Sequence, residues 1–411
     1  MNCRFCKNPL HHEFIDLVNA PPSNSFVSAK QLNEPEPYYP LKLFVCDKCY
    51  LVQVDEYKKA TEIFDSGYVY FSSVSTSWLA HSKKYTEKMM SEFGINTNSL
   101  VIEIASNDGY LLQYFKEKGV GVLGVEPTTS TAVVARQKGI ETVEEFFGVS
   151  FAQQLLRDGK KADLLLGNNV LAHVPDINDF VQGLQIALKP DGIVTMEFPH
   201  LLRLVENNQF DTIYHEHFSY LSFSTVKRVF EKQNLELFHV EELTTHGGSI
   251  RIFAKHKASS VNPVRKTVSD MIEKEQKAGM NGLDFYKGFD KKVAKVKLDF
   301  LEFLIKAKKE GKKIAAYGAA AKGNTMLNFC GIKNDLIEFV VDGATSKQGK
   351  YLPGSHIPVV AEPEIKKSRP DFIVILPWNI KEEITKQLSY IKDWGGVFVV
   401  AIPELKLIKA S

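Results

Sequence analysis

The chain has 411 residues, 44% hydrophobic and 24% charged, which is enough apolar sequence for two or three folded domains and argues against wholesale disorder. Basic and acidic residues nearly cancel, at 51 against 49, whereas proteins that bind nucleic acid or anionic membranes usually carry a positive excess. No apolar run of about 18 residues marks a membrane span, and the first residues lack the apolar core of a signal peptide. We therefore expect a cytoplasmic protein that binds neither nucleic acid nor a membrane.

Two Cys-x-x-Cys pairs lie in the first 50 residues, and they consist of Cys3, Cys6, Cys46 and Cys49. Each pair presents two sulfurs from one tight turn, and two such turns complete a tetrahedral site of four thiolates. Disulfides and free thiols are the alternatives, and a reducing cytosol disfavours disulfides. We predict a structural zinc ion in a module over residues 1–60, because four thiolates leave no position for a substrate.

Short apolar runs alternate with amphipathic segments through the middle of the chain. The predicted strands cover residues 100–105, 120–125, 164–166, 193–198 and 250–254, and the predicted helices include residues 82–93 and 110–118. Strands that alternate with helices are typical of a doubly wound domain with a parallel sheet, which we place over residues 61–260.

A second α/β pattern follows a long, charged, amphipathic stretch. This stretch, residues 265–312 with a break near 279–282, is predicted to be a helical connector that occupies positions 261–310. The second set of predicted strands covers residues 313–317, 337–341, 372–376 and 397–401. These strands predict a separate Rossmann-like domain over residues 311–411, so the fold class is α/β with two Rossmann-like domains behind a small zinc module.

The turn after the first predicted strand is a candidate cofactor site. Ala105, Asn107 and Gly109 stand where the pattern E/D-x-G-x-G-x-G places its glycines, and Glu126 ends the next strand, where an acid can bind ribose hydroxyls. The pattern resembles the S-adenosylmethionine fingerprint of class I methyltransferases, and an ordinary strand–turn–helix is the alternative. The candidate cofactor contacts are Glu103, Ala105, Asn107, Asp108, Gly109, Glu126, Asn168 and Asn169. For Glu103 and Asp108 the alternative is that they only cap and satisfy the turn.

Five ionisable side chains cluster within residues 214–220, and His173 follows another predicted strand. Ligands of a doubly wound sheet bind beyond the carboxyl ends of its strands, so these side chains are expected to converge on one cleft. Three interpretations stay open: ligands of a catalytic metal, a structural polar cluster, or general acid–base groups. We favour the last, because histidine titrates nearest to working pH. In this interpretation Glu216 orients an imidazole ring and Tyr214 donates a hydrogen bond to a developing oxyanion.

The order of these features is similar to that of the nucleotide-sugar C-methyltransferases, which add a branch methyl group at C3 of TDP-linked keto-deoxysugars. The resemblance spans nearly the whole chain, and its landmarks are the four cysteines, NNVLAHV at 168–174, YHEH at 214–217, HGGSIR at 246–251 and YGAAAKGN at 317–324. It implies that His217 is the catalytic base, and that Tyr68, His173, Tyr214 and Glu216 complete the active site. Alanine at position 105, where methyltransferases commonly have glycine, departs from the pattern and constrains the turn.

The expected reaction is S-adenosylmethionine-dependent methylation of the carbon next to the ketone, through an enolate that a base generates. The C-terminal domain is expected to bind the nucleotide of the sugar donor. The candidate substrate contacts are His246, Ser249, Arg251, Lys322 and Asn324. Alternatives for them are a turn with a surface arginine, and a helix that only packs on its sheet.

Two other functions remain open at this stage. One is O- or N-methylation of a sugar or small metabolite, and the other is a zinc-ribbon scaffold that binds RNA or protein without catalysis. The sequence leaves the oligomeric state open, a monomer included.

Overall fold

The computed structural model describes residues 1–59 and 71–410, in which the strands form three sheets. The strands are β1 His12–Ala20, β2 Tyr39–Val45, β3 Val52–Val54, β4 Leu100–Ile104, β5 Gly121–Val125, β6 Thr142–Val143, β7 Ala162–Asn168, β8 Leu188–Pro199, β9 Ser219–Tyr220, β10 Leu235–Leu243, β11 Ser249–His256, β12 Ile314–Tyr317, β13 Val340–Val341, β14 Val359–Val360, β15 Phe372–Ile375, β16 Val397–Val400 and β17 Lys406–Lys409. The helices are α1 Thr76–Phe93, α2 Leu112–Glu117, α3 Thr129–Gln137, α4 Val149–Arg157, α5 Ile177–Ala187, α6 Leu201–Glu206, α7 Phe223–Lys232, α8 Lys266–Lys277, α9 Phe289–Lys309, α10 Ala321–Cys330, α11 Pro363–Ser368 and α12 Lys381–Gln387.

The N-terminal sheet is antiparallel, in the order β1-β2-β3-β9. Strand β2 alternates buried and more exposed residues with a period of two, as a strand with one covered face must. The last strand, β9, comes from a distant part of the chain, and Tyr220 pairs with Val52. The N-terminal module is therefore joined by main-chain hydrogen bonds to the segment that directly follows the histidine-rich cluster.

The central sheet has the strand order β10-β11-β8-β7-β4-β5-β6. The five strands β6, β5, β4, β7 and β8 are parallel, as predicted, and their near-continuous apolar runs suit strands covered by helices on both faces. The predicted strand at 250–254 lies instead in an antiparallel hairpin, in which β11 pairs with both β10 and β8. Residues 244–248 join β10 to β11, and this connection is too short for the crossover that a parallel pair requires.

The predicted helical connector consists of two helices, α8 and α9, which are separated near the predicted break. Phe289, Val293, Val296, Phe300 and Leu304 lie at helical spacing on one face of α9 and are buried. Phe289 stacks on Phe14 of β1 with 5.0 Å between ring centroids. Helix α9 thereby packs against the N-terminal sheet, and one apolar core joins this sheet to the C-terminal part of the chain.

The third sheet has the order β14-β13-β12-β15-β16-β17, and only β17 is antiparallel to its neighbour. Segments that follow β12 and β15 reach the same cavity as segments that follow β4, β5 and β7. The carboxyl ends of strands in two separate sheets therefore face one common space. Among the described residues, no helix is long and apolar enough to cross a membrane.

Candidate active site

A cavity of about 1230 Å³, called the central cavity below, lies between the central and C-terminal sheets. Its walls include Ala105 and Glu126 from the central sheet, His217 from the histidine-rich cluster, and Lys322 from the start of α10. Pockets for a single small molecule usually measure about 300–1,000 Å³. The central cavity has room for two ligands side by side.

The turn after β4 forms one wall of this cavity. Ala105 and Asn107 have positive φ angles of 55° and 49°, and Gly109 has a φ angle of 73°. Asparagine visits this left-handed region more readily than other side-chain-bearing residues, which explains its presence at one of the glycine positions. A Cβ atom on Gly109 would lie 2.3 Å from Cδ1 of Ile140, so the last glycine of the pattern cannot be replaced without movement.

Glu126 holds this turn to the end of β5. Its Oε2 accepts a hydrogen bond from the backbone N–H of Asn107, and its Oε1 accepts one from that of Thr128, both at 2.9 Å. Burial raises the pKa of the carboxyl group. Each carboxylate oxygen has a second lone pair, so Glu126 at the cavity wall can still accept hydrogen bonds from ribose hydroxyls.

The other predicted cofactor contacts divide into two groups. Asn168 and Asn169 line the central cavity, and Nδ2 of Asn168 donates to the Tyr110 hydroxyl at 3.3 Å. Glu103 and Asp108 lie behind the turn: burial raises the pKa of Glu103 well above its usual value, and Asp108 accepts hydrogen bonds from Ser73. Glu103 and Asp108 are not among the described residues that line the central cavity.

The predicted catalytic side chains meet at another part of the cavity lining. The ring centroid of His217 lies 4.0 Å from that of Tyr214 and 4.6 Å from that of His173. All three line the central cavity, together with Glu216. Tyr68 lies outside the described residues.

His217 has the hydrogen bonding that a proton acceptor requires. Its Nδ1 lies 2.9 Å from the carbonyl oxygen of Thr212, which only accepts hydrogen bonds, so Nδ1 carries the proton and Nε2 of the neutral ring is free of it. The pKa of His217 lies well below its usual value, because burial disfavours the charged ring and because His173 and Lys322 oppose a further positive charge. His217 is therefore neutral near pH 7, with Nε2 as its basic atom.

The Thr212 carbonyl, rather than the predicted Glu216 side chain, holds Nδ1 of His217. Glu216 instead accepts a hydrogen bond through Oε1 from Nδ2 of Asn24, at 2.7 Å. Burial raises the pKa of Glu216 to about 7. Glu216 can therefore exchange a proton near neutral pH, although it does not orient the base.

His173 shares the buried environment of His217. Burial lowers its pKa to about 4, against a hydrogen bond with the backbone of Glu216. His215 lies apart from the central cavity, packs edge-on against Tyr39, and has Nε2 3.2 Å from the carbonyl oxygen of Pro40. Histidines 173 and 217 thus reach the cavity, whereas His215 helps to anchor the cluster to β2.

The four cysteines of the N-terminal module converge on one point. Their sulfur atoms all lie within 4.8 Å of one another, with Cys3 and Cys49 at 3.5 Å and Cys6 and Cys46 at 3.4 Å. Zinc–sulfur bonds of about 2.3 Å in a tetrahedron separate the sulfurs by about 3.8 Å, so the cluster fits a zinc ion. Four sulfurs complete the coordination, and none of these cysteines lines the central cavity.

Comparison with known proteins identifies the family. The chain is 33% identical over 412 aligned positions to C-methyltransferase NovU from Streptomyces niveus, an alignment that covers 100% of this chain and 97% of that protein. This chain belongs to the C-methyltransferase family. Family models match residues 3–64 (“Putative zinc binding domain”), 67–240 (“Methyltransferase domain”) and 244–403 (“C-methyltransferase C-terminal domain”).

More distant similarities cover only part of this C-methyltransferase. Ubiquinone biosynthesis O-methyltransferase from Bartonella tribocorum is 25% identical over 159 residues, which is 33% of this chain and 63% of that protein. The crystal structure of magnesium protoporphyrin IX methyltransferase from Synechocystis PCC 6803 superposes with a TM-score of 0.34 and 13% identity, over 43% of this chain and 78% of that one. The C-methyltransferase has a class I Rossmann-like fold, uses S-adenosylmethionine, and carries its zinc-binding cysteines at the N-terminus.

Two of the predicted substrate contacts of this C-methyltransferase line the central cavity. His246 packs edge-on against Trp78, with 5.2 Å between ring centroids, and burial lowers the pKa of His246 to about 4. Lys322 lies over the Trp378 ring, and its Nζ donates to Oδ1 of Asn379 at 2.8 Å. His246 and Lys322 therefore lie where they can contact a substrate in the cavity.

The other three predicted substrate contacts lie behind the cavity wall. Ser249 donates through Oγ to the carbonyl oxygen of Thr245 at 3.1 Å, and Asn324 donates through Nδ2 to that of Ser23 at 2.6 Å. Arg251 is 3% exposed rather than on the surface, and its Nη2 lies 2.5 Å from Oε2 of Glu197. The structure thus gives Ser249, Arg251 and Asn324 supporting contacts rather than places in the cavity.

The ion pair of Arg251 reaches the cavity through a third residue. Nε2 of His81 lies 2.8 Å from Oε2 of Glu197, and His81 itself lines the cavity. Burial opposes ionisation of Glu197, but the hydrogen bond with His81 and the charge of Arg251 lower its pKa to about 2. Arg251 therefore fixes the side chains under the cavity floor.

Several cavity residues were not among the predicted site residues. Trp78 stacks on His81 at 5.0 Å and on Tyr110 at 6.0 Å, and Phe146 and Phe147 line the cavity just beyond β6. Nothing in the spacing of these aromatic residues along the sequence indicates which ring lines the cavity. Asn24 was missed as well, because it belongs to the irregular part of the zinc module.

Proposed function

We propose that this C-methyltransferase adds a branch methyl group at C3, the carbon next to the ketone, of a TDP-linked 4-keto-deoxysugar. The observation that carries the proposal is the hydrogen bond between His217 Nδ1 and the Thr212 carbonyl, which leaves Nε2 as a base in the central cavity. A C–H bond next to a ketone is acidic enough for such a base, because the resulting charge moves to the enolate oxygen.

In the proposed reaction His217 Nε2 takes the proton from the carbon next to the ketone. Tyr214, whose ring lies 4.0 Å from that of His217, is placed to donate a hydrogen bond to the enolate oxygen. S-adenosylmethionine supplies an electrophilic methyl group when bound, and Ala105, Asn107, Glu126, Asn168 and Asn169 would hold it in the same cavity. The rings of Trp78 and His246 pack edge-on at 5.2 Å in the lining of the same cavity.

The charges on the C-terminal side of the cavity suit a nucleoside diphosphate. Among described residues, the charged side chains that this side contributes to the lining are Lys322 and Lys347. Lys347 lies 3.4 Å from Asp342, whereas Nζ of Lys322 bonds the neutral amide of Asn379. Lysine is a common point-charge ligand of phosphate, so Lys322 is the better candidate for the diphosphate.

The test is to incubate the purified protein with S-adenosylmethionine and a panel of TDP-, UDP- and GDP-linked 4-keto sugars, and to locate the new methyl group by NMR. A methyl group on the carbon next to the ketone, formed fastest with a TDP-linked sugar, is the expected result. A methyl group on oxygen or nitrogen would overturn the enolate chemistry. Salt-sensitive RNA binding without binding of the cofactor would instead support a scaffold.

A matched pair of variants tests the role of the base. The variant His217→Asn keeps a polar side chain that can still contact Thr212 but has no basic nitrogen, and its turnover should fall by about 10²–10⁴-fold. His11→Asn makes the same change at an exposed position and should leave turnover unchanged. Equal turnover of the His217→Asn variant and the wild type would refute the assignment.

A further inference from the structure

Asn24 reaches the active site from the part of the chain that matches a zinc-binding domain. It lines the central cavity, and its Nδ2 donates to Oε1 of Glu216 at 2.7 Å, across 192 residues of sequence. Glu216 is only 5% exposed, so this amide is a major polar contact of a buried carboxyl group. No role follows for Asn24 from the zinc site, whose ligands are cysteines.

The backbone around Asn24 is fixed on both sides. Pro21 and Pro22 precede it, both buried, and each restricts its own φ angle. The N–H of Ser25 donates to the carbonyl oxygen of Pro22 at 3.0 Å, and that of Phe26 to the carbonyl oxygen of Asn24 at 3.0 Å. This turn presents the Asn24 side chain to the cavity with little freedom to move.

Residues 21–36, called the strap below, are also tied to the C-terminal domain. Val27 and Tyr351 exchange backbone hydrogen bonds of 2.9 and 2.8 Å, and the carboxylate of Glu36 accepts from the N–H of Gly354 at 2.9 Å. The Glu36 carboxylate also lies 2.9 Å from Nε2 of His356. The strap is therefore anchored to the C-terminal domain by both backbone and side-chain contacts.

Two neighbouring residues of helix α10 donate hydrogen bonds to the strap and to the segment before the histidine-rich cluster. Asn324 donates to the carbonyl oxygen of Ser23 at 2.6 Å, and Thr325 donates through Oγ1 to that of Ile213 at 2.8 Å. The residues that follow these two carbonyls are Asn24 and Tyr214, and both line the cavity. One rigid helix thus fixes the distance between the strap and the histidine-rich cluster.

We propose that Asn24 is a positioning residue for methylation, which holds the carboxyl group of Glu216 in the central cavity and transmits the placement of α10 to it. Its role in turnover rests on the proposed function, in which Glu216 belongs to the proton-transfer machinery. An amide N–H that donates to a carboxylate also favours the charged form. Asn24 and Lys58 therefore counteract the rise in the Glu216 pKa that burial causes, and the pKa stays at about 7.

Among the described residues, few titratable groups bear on Glu216, and burial lowers the pKa of its chain neighbour His215. His173 bonds the backbone of Glu216, His217 is adjacent in the chain, and Lys58 contributes a distant positive charge. His173 and His217 are held neutral by burial, so neither changes charge near pH 7. Changes at position 24 are therefore expected to appear in the titration of Glu216 itself.

The test uses the full chain, labelled with ¹³C at the glutamate side-chain carboxyl carbon and titrated by NMR, with Glu216→Gln to assign the signal. The variant Asn24→Ala should raise the midpoint of the Glu216 titration by about one to two pH units, because it removes a hydrogen bond to a charged group. Asn24→Asp, of nearly the same shape, should raise it further by placing two carboxyl groups in contact. Asn33→Ala, at an exposed asparagine of the same strap, should leave it unchanged.

Turnover gives the second readout. Asn24→Ala should lower kcat and shift its pH profile in the same direction as the NMR midpoint, whereas in the Glu216→Gln background it should cause little further loss. An unshifted Glu216 midpoint in folded Asn24→Ala and Asn24→Asp, or an equal loss of kcat with and without Glu216, would overturn the proposal. The NMR titration needs no turnover. A wrong assignment of the sugar substrate would therefore abolish the kinetic readout but leave the NMR readout intact.

Discussion

Replacement of Gly109 by alanine tests whether cofactor binding depends on the left-handed backbone of the turn after β4. The φ angle of 73° is left-handed, and the added Cβ atom would lie 2.3 Å from Cδ1 of Ile140, where carbon atoms normally stay about 3.5–4.0 Å apart. The left-handed backbone costs alanine about 1–2 kcal/mol, and overpacking adds about 1–3 kcal/mol. The variant should therefore lose about 2–5 kcal/mol of unfolding free energy, through a shift of the turn or of the Ile140 side chain.

A glycine without the steric clash is the control. Gly159 has a φ angle of 70°, and nothing lies within 4 Å of its would-be Cβ atom, so Gly159→Ala should cost only the backbone term. Thermal unfolding measures the stability of both variants, and calorimetry measures their dissociation constants for S-adenosylhomocysteine. We expect Gly109→Ala to lower Tm more than Gly159→Ala and to weaken binding by more than tenfold. Wild-type affinity and equal Tm losses would refute the reasoning about the turn.

Three further predictions follow from other contacts. Arg251→Ala should destabilise the protein by about 3 kcal/mol, the low end for a broken buried ion pair, because the buried Glu197 carboxylate loses its arginine but keeps its contacts with His81 and Thr245. A raised KM at unchanged Tm would contradict this role. Chelation of zinc should lower Tm and activity together, with recovery when Zn²⁺ returns, because β3 pairs with β9 next to His217; a metal-free protein with wild-type Tm would contradict it. Burial raises the pKa of Asp211 to about 6, above its value of about 3.9 in the unfolded state. The protein is therefore most stable, as far as this group is concerned, below about pH 3.9, and it loses that stability as pH rises through 6. Asp211→Asn should lack this loss in unfolding experiments from pH 4 to 7, and an identical pH profile of stability in the variant would contradict the raised pKa of Asp211.

The parts of the site that the sequence could predict are local in the chain. The spacing of Ala105, Asn107 and Gly109, followed by Glu126, is read within two strands and a turn, and each parallel strand brings its carboxyl end to the same edge. The same logic brought His173 and His217 to one cavity, where their rings lie 4.6 Å apart. Short spacings carry this information because the neighbouring backbone fixes them.

Arg251 shows what the sequence could not predict. It was expected in the substrate cleft because it follows a glycine-rich turn, but in β11 it lies directly opposite Glu197 of β8. The register between two strands that are 54 residues apart decides this pairing, and a shift of one residue would have turned Arg251 to the other face. Local sequence patterns do not specify such a register.

Asn24 and Asn324 illustrate the same limit for contacts between domains. Each looks like a polar residue of a turn or of a helix start, yet one bonds Glu216 and the other bonds the carbonyl oxygen of Ser23, 301 residues away. The antiparallel hairpin of β10 and β11 is different, since the five residues between the strands already exclude a crossover. Its strand direction could have been predicted from the length of the connection alone.

The central claim is that His217 generates an enolate next to the ketone, and proton exchange tests it most directly. The TDP-linked 4-keto sugar is incubated in D₂O with the protein and S-adenosylhomocysteine, and NMR follows the loss of the proton on the carbon next to the ketone. The account predicts exchange with the wild type and with His11→Asn, and none above the uncatalysed rate with His217→Asn. Exchange at the wild-type rate in the His217→Asn variant would contradict it.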